Sequence, residues 1–115
     1  MKVKLIFSLL FVSTLFSFKA DNPIKILFFG DSITQAGIGK TGYITKMAEM
    51  LSSKGLSGKY ELIGAGIGGN KIYDLYLRHE EDVIAKKPNI VVIYIGINDV
   101  WHKTSSRTGT DYDKF

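Results

Sequence analysis

The chain has 115 residues, 45% of them hydrophobic, and no cysteine. That length allows one globular domain, and the missing thiols exclude a disulfide framework and a thiolate metal site. The formal net charge of +4 sits at the start: of 15 Lys and Arg, Lys2, Lys4 and Lys19 fall in the first twenty residues, leaving 12 against 11 Asp and Glu, so the rest carries no basic footprint for nucleic acid.

The first twenty residues read as a targeting segment. Lys2 and Lys4 precede an uncharged apolar run from Leu5 to Phe18. A charged n-region before an h-region of about 14 residues is the pattern of a secretory signal. A bilayer-spanning helix needs about 20 apolar residues, so no stable membrane insertion is expected once the signal is removed. Cleavage is expected near Ala20 or Ser17, although Phe18 is not a small residue. Residues 1–20 are therefore assigned to the signal and 21–115 to the mature domain. Its expected location is secreted or periplasmic.

The first strand is predicted over about Lys25 to Phe29, an apolar run that stops at Gly30 and feeds a tight turn carrying Ser32. Gly30 to Thr41 reads as a loop. Tyr43, Ile44, Met47, Ala48 and Leu51 recur at helical spacing, and Gly55 suits a stop just past the helix end. Tyr60 to Ile63 is a second short strand, followed by a glycine-dense loop from Gly64 to Asn70. Ile72, Leu75, Tyr76, Val83 and Ile84 mark a second amphipathic helix. Asn70 is placed to cap its start, and Lys86, Lys87 and Pro88 suit its end. Ile90 to Ile95 is the most apolar run of the mature chain, and its β-branched residues predict a central strand ended by Gly96. No further strand is predicted from Trp101 to Phe115.

The order β-α-β-α-β implies a parallel sheet with right-handed crossovers and helices on its faces. Parallel strands point the same way, so their exit loops emerge at one edge. Ser32, the Gly64–Asn70 loop and the Gly96–Asp99 segment are therefore expected to converge, where ligands of open α/β sheets gather. About 95 mature residues are few for this architecture, and the chain reads as the N-terminal part of a longer domain.

Gly30-Asp31-Ser32-Ile33-Thr34 resembles the first block of the GDSL, or SGNH, family of serine esterases and lipases. Ile67-Gly68-Gly69-Asn70 is similar to that family's glycine block, and Gly96-Ile97-Asn98-Asp99 to its Gly-x-Asn-Asp block. The resemblance implies a three-layer α/β/α sandwich of flavodoxin-like type, incomplete at the C-terminus. It implies an acyl-enzyme mechanism with Ser32 as nucleophile. The oxyanion hole would then be the Ser32 N–H, the Gly69 N–H and the Asn98 side-chain amide, with Gly68 a weaker alternative to Gly69. Asp31 is expected to order the turn through bonds to backbone N–H groups. No metal and no organic cofactor is expected. The implied substrates are small-molecule or glycan esters: acetylated sugars, short acyl esters or lysophospholipids.

Each of these residues has a plainer reading. Ser32 suits a turn serine that caps a helix, Asn98 an Asx-turn and Gly69 a tight turn. Three such blocks in order, each after a strand, weigh against three coincidences.

The family's base, a His oriented by Asp in a late Asp-x-x-His block, has no clear counterpart. Asp99-Val100-Trp101-His102 has that spacing, but Asp99 already belongs to the Asn-Asp block, and His79 falls within a helix. The base is expected beyond Phe115. Two other classes were weighed. One is a non-catalytic exported carbohydrate-binding domain of the same fold, with Trp101, Tyr73, Tyr76 and Tyr94 as stacking candidates. The other is a nucleotide-binding module. Gly39-Lys40-Thr41 lacks the upstream glycine a phosphate loop needs, since position 34 is Thr. Gly64-Ala65-Gly66-Ile67-Gly68-Gly69 matches a dinucleotide fingerprint without the acidic residue at a strand end.

Overall fold

A computed structural model describes residues 22–115; the expected signal, residues 1–20, lies outside them. Three strands, β1 (Ile24–Gly30), β2 (Tyr60–Gly66) and β3 (Ile90–Tyr94), form one parallel sheet in the order β2-β1-β3. The helices are α1 (Ser32–Gly37), α2 (Tyr43–Ser53), α3 (Ile72–His79), which runs on through a π-helical turn Glu80–Ile84, and α4 (Ile97–Ser105).

Alternation along β1 divides the core between two faces. Leu27 and Phe29, both fully or nearly fully buried, pack with Ala65 and with Leu75 of α3, and Ile63, Val83 and Ile95 border this cluster. Phe28 points the other way and meets Tyr43 of α2 edge to face, with ring centroids 5.7 Å apart. A strand buried on both faces and crossed by helices on each side is what a parallel sheet requires. The register aligns the strand ends: Gly30 lies opposite Gly66 on one side and Tyr94 on the other. All three exits therefore open at one rim.

Four expectations are corrected. Among the described residues β1, not β3, is the strand with neighbours on both sides. There β3 pairs with β1 alone, and its side chains from Ile90 to Tyr94 are between 39% and 60% exposed. Apolar, β-branched composition marks a strand suited to burial but does not say which neighbours it has. Second, the stretch after Gly30 is not a loop throughout: α1 begins at Ser32. Third, helix α4 occupies Ile97–Ser105, where no element was expected after Asp99. Its apolar residues Ile97, Val100 and Trp101 are exposed, while Asn98 and Asp99 are buried. That inverts the hydrophobic pattern by which a helix is recognised. Fourth, β2 continues through Gly64, Ala65 and Gly66 rather than ending at Ile63.

Gly66 shows why β2 ends in glycine. A Cβ there would lie 2.0 Å from the Gln35 nitrogen and 2.7 Å from the Asp31 carbonyl oxygen, both backbone atoms of the turn that carries Ser32. Only a residue without a side chain lets α1 sit on β2. Gly66→Ala is expected to lower stability by about 3 kcal/mol, the upper part of the usual overpacking range, as read by chemical denaturation of the full-length gene product.

Candidate active site

Ser32 is the first residue of α1, directly after the rim end of β1, and its side chain is exposed. Asp31 is 1% exposed, and its Oδ1 accepts the Ile33 N–H at 2.9 Å, fixing the turn from below. The Gln35 N–H donates to the Asp31 carbonyl at 2.9 Å, closing the first helical turn. Asp31 is thus committed to the backbone beside Ser32, as an N-cap carboxylate is.

The β2–α3 loop lies against this turn. A Cβ built on Gly68 would come within 3.9 Å of the Ser32 Cβ. The three N–H groups of the loop differ in their commitments. Gly68 N–H donates to Gln35 Oε1 at 2.7 Å, and Asn70 N–H to the Ile67 carbonyl at 3.3 Å. Gly69 N–H has no acceptor among the described residues. Gly69 adopts φ +78°, a region that side chains rarely tolerate, which turns the loop so that the two flanking N–H groups find partners and its own does not.

The third segment clamps the loop from the other side. Asn98, 5% exposed, donates through Nδ2 to the Asn70 carbonyl at 3.0 Å. Asp99, 2% exposed, accepts the Ile72 N–H on both carboxylate oxygens at 3.2 Å. Asp99 therefore caps α3 from a distance of 27 residues. Asn70 does not cap α3 as expected: the Lys71 N–H instead donates to Asp74 Oδ2 at 2.8 Å, and the Asn70 side chain turns to Arg78. Burial pushes the Asp82 carboxyl up, but its hydrogen bond to Arg78 and the Lys86 charge together hold it below the usual aspartate range.

Ser32, Gly69 and Asn98 thus gather about a single loop. Among the described residues neither histidine is hydrogen-bonded to Ser32, Gly69 or Asn98. His79 Nδ1 faces the Tyr76 carbonyl, and its ring stacks on Tyr76 with centroids 5.5 Å apart. His102 Nδ1 lies 3.5 Å from Lys71 Nζ, while Asp99 is spent on Ile72, so Asp99 and His102 form no dyad despite their spacing. Trp101, Tyr73, Tyr76 and Tyr94 are all exposed. The dinucleotide-like glycines are displaced as well: Gly64 and Gly66 lie within β2, not in a turn after it. Among the described residues, no group of His, Asp and Glu could hold a metal ion, and no helix is long and apolar enough to cross a membrane.

The family profile of GDSL-like lipases and acylhydrolases matches residues 28–114. The chain belongs to that family. Its GDSL match takes in all three blocks. An acetylxylan esterase from Geobacillus stearothermophilus is 41% identical over 90 residues, covering 69% of this chain and 41% of that protein. The crystal structure of an acetyl xylan esterase designated AlAXEase superposes with a TM-score of 0.78 at 67% identity, over 79% of this chain and 46% of that one. A variant of the Geobacillus stearothermophilus acetyl xylan esterase superposes at 0.70 with 36% identity, over 78% and 48%. This GDSL chain thus spans less than half the length of each of these relatives. Two further structures of the Geobacillus enzyme are described as catalytic mutants. They replace an aspartate and a histidine three positions apart. The sheet order, the helices on both faces and these neighbours give the α/β fold of the SGNH hydrolases.

Arg78 escaped sequence reading. It is an unremarkable basic position in an amphipathic helix, and only its contacts across the fold reveal its place. The signal in the sequence is an Arg about two turns into the helix that follows the glycine block.

Proposed function

We propose that the protein is an exported serine esterase that removes acyl groups, acetyl above all, from carbohydrate. The observation that carries this is the convergence of an exposed Ser32, the Gly69 N–H with no acceptor among the described residues, and the Asn98 amide around one loop. Ser32 Oγ attacks the ester carbonyl, and the developing oxyanion is met by the Ser32 N–H, the Gly69 N–H and Asn98 Nδ2. Asn98 donates one amide hydrogen to Asn70, leaving the other for the oxyanion. The base takes the Ser32 proton and passes it to the leaving oxygen, so the alcohol departs as the acyl-enzyme forms; water, deprotonated by the same base, then attacks that intermediate, and the base returns the proton to Ser32 Oγ as acetate is released.

The general base is a histidine oriented by an aspartate, supplied by chain that follows Phe115. The Asp-x-x-His spacing of the catalytic mutants in the Geobacillus enzyme supports this, as does the engagement of His79 and His102 elsewhere. Residues 1–115 alone are then expected to hydrolyse esters only feebly. Carbohydrate as the alcohol part rests on the acetylxylan esterases among the relatives, and export rests on the n-region and h-region of residues 1–20. Neither a nucleotide module nor a non-catalytic sugar-binding domain has support among these relatives.

The test is acetate release by the full-length gene product from acetylated xylo-oligosaccharide, against p-nitrophenyl esters of rising chain length. The expected result is release of acetate from the sugar and a rate that falls steeply beyond short acyl chains. A preference for long acyl chains, or no release from the sugar, sinks the carbohydrate assignment.

A further inference from the structure

Arg78 lies in α3 with its side chain 14% exposed, and its guanidinium makes four hydrogen bonds. Nη2 donates to the Gly30 carbonyl at 2.9 Å and to the Ala65 carbonyl at 3.1 Å, the rim ends of β1 and β2. Nε donates to Asn70 Oδ1 at 2.8 Å, and Nη1 is paired with Asp82. The guanidinium carbon lies 4.5 Å from the centroid of the Phe29 ring in the core. One of these four bonds, to Asp82, is the i to i+4 pairing that any helical Arg can make. The other three reach the two strand ends that launch the candidate site and the residue next to Gly69.

Asn70 stands between two donors. Arg78 holds its side-chain oxygen and Asn98 holds its main-chain oxygen, so the peptide after Gly69 is gripped from both sides. The Gly30 carbonyl also accepts the Ile67 N–H at 3.1 Å, tying the start of the same loop to the residue before Asp31. We infer that Arg78 is a positioning residue for the oxyanion hole: through Asn70 and the Gly30 carbonyl it sets the direction of the Gly69 N–H and the place of the Asn98 amide relative to Ser32. This rests on the esterase reading above for its catalytic consequence, but the placement it describes does not. A planar fork with fixed donor directions can serve two carbonyls and an amide oxygen at once; a lysine ammonium is a point charge on a flexible stem and cannot. Arg78 itself touches no reacting atom.

The test uses the full-length protein with Arg78→Ala, Arg78→Lys, Asn70→Ala and the Arg78→Ala/Asn70→Ala pair. Arg78→Ala is expected to lower kcat on a small acetyl ester about tenfold to a hundredfold, the cost of displacing a catalytic donor by a fraction of an ångström to one ångström, with KM changed less than about threefold. If Arg78 acts through Asn70, the double variant is expected to lose little more than the worse single one. Arg78→Lys keeps the charge beside Asp82 and so folds where the alanine variant fails, yet its kcat is expected to fall as well. In 15N-labelled protein the Gly69 N–H and the Asn98 side-chain amide resonances should both shift in Arg78→Lys. Wild-type kcat in the lysine variant, fully multiplicative losses in the pair, or unmoved Gly69 and Asn98 resonances would each overturn the inference. A wild-type protein that hydrolyses no ester and takes up no fluorophosphonate would instead sink the esterase reading; the resonance experiment still decides whether Arg78 positions the loop.

Discussion

Ser32→Ala in the full-length protein is expected to abolish labelling by a fluorophosphonate probe and to lower kcat by about 10⁴-fold or more. Removal of a nucleophile from a serine hydrolase leaves only the catalysis that binding and the oxyanion hole supply, some 10³ to 10⁴ above water. The substitution deletes one exposed hydroxyl at the first position of α1, and Asp31 retains its bond to the Ile33 N–H, so the fold should be undisturbed. Thermal unfolding of the variant should therefore match wild type within about 2 °C, the shift expected of a few tenths of a kcal/mol at an exposed site. Labelling that persists in Ser32→Ala would remove Ser32 from the mechanism and leave the convergence of the three loops without a reacting atom.

Asn98 should behave differently, because the proposed mechanism gives it a second task beside its bond to the Asn70 carbonyl. One amide hydrogen holds the Asn70 carbonyl, and the other is assigned to the oxyanion. Asn98→Ala is expected to lower kcat by about 10²- to 10³-fold, the usual result of losing one such donor, with little change in KM. It should also cost stability, about 0.5–1.5 kcal/mol, since the part-buried carbonyl of Asn70 loses its donor. Asn98→Asp is the sharper test. The carboxylate cannot donate and places negative charge where negative charge develops, so its kcat should fall below that of the alanine variant. If Asn98→Asp instead matched wild type in kcat, the oxyanion role would be lost and the residue would be only a clamp on the loop.

Much of this site could be read along the chain because its parts are local. Gly30-Asp31-Ser32, Gly68-Gly69-Asn70 and Gly96-Ile97-Asn98 each follow an apolar run, and an apolar run ended by glycine is visible without a partner in view. The expectation that they meet needed only the direction of parallel strands. What misled the reading was polarity. Asn98 and Asp99 are buried because they serve main-chain groups of another loop, while Ile97, Val100 and Trp101 on the same helix are exposed. Periodicity assumes that apolar residues face inward, so α4 went unseen. The composition of β3 suits a central strand, yet among the described residues it pairs with β1 alone, and nothing within five apolar residues states which strands they pair with.

The amino-acid order by itself determined the three strands, α2 and α3, the single exit rim and the family to which the chain belongs. These follow from short-range rules: apolar period, glycine stops and the parallel sense that βαβ order imposes. The tertiary structure alone decided which N–H in the glycine loop lacks a partner among the described residues, that Asp99 caps α3 and so forms no dyad with His102, and that Arg78 braces two strand ends and Asn70. A hydrogen bond between groups up to 48 residues apart depends on how sheets and helices pack, and a donor's neighbours in sequence say nothing of its neighbours in space.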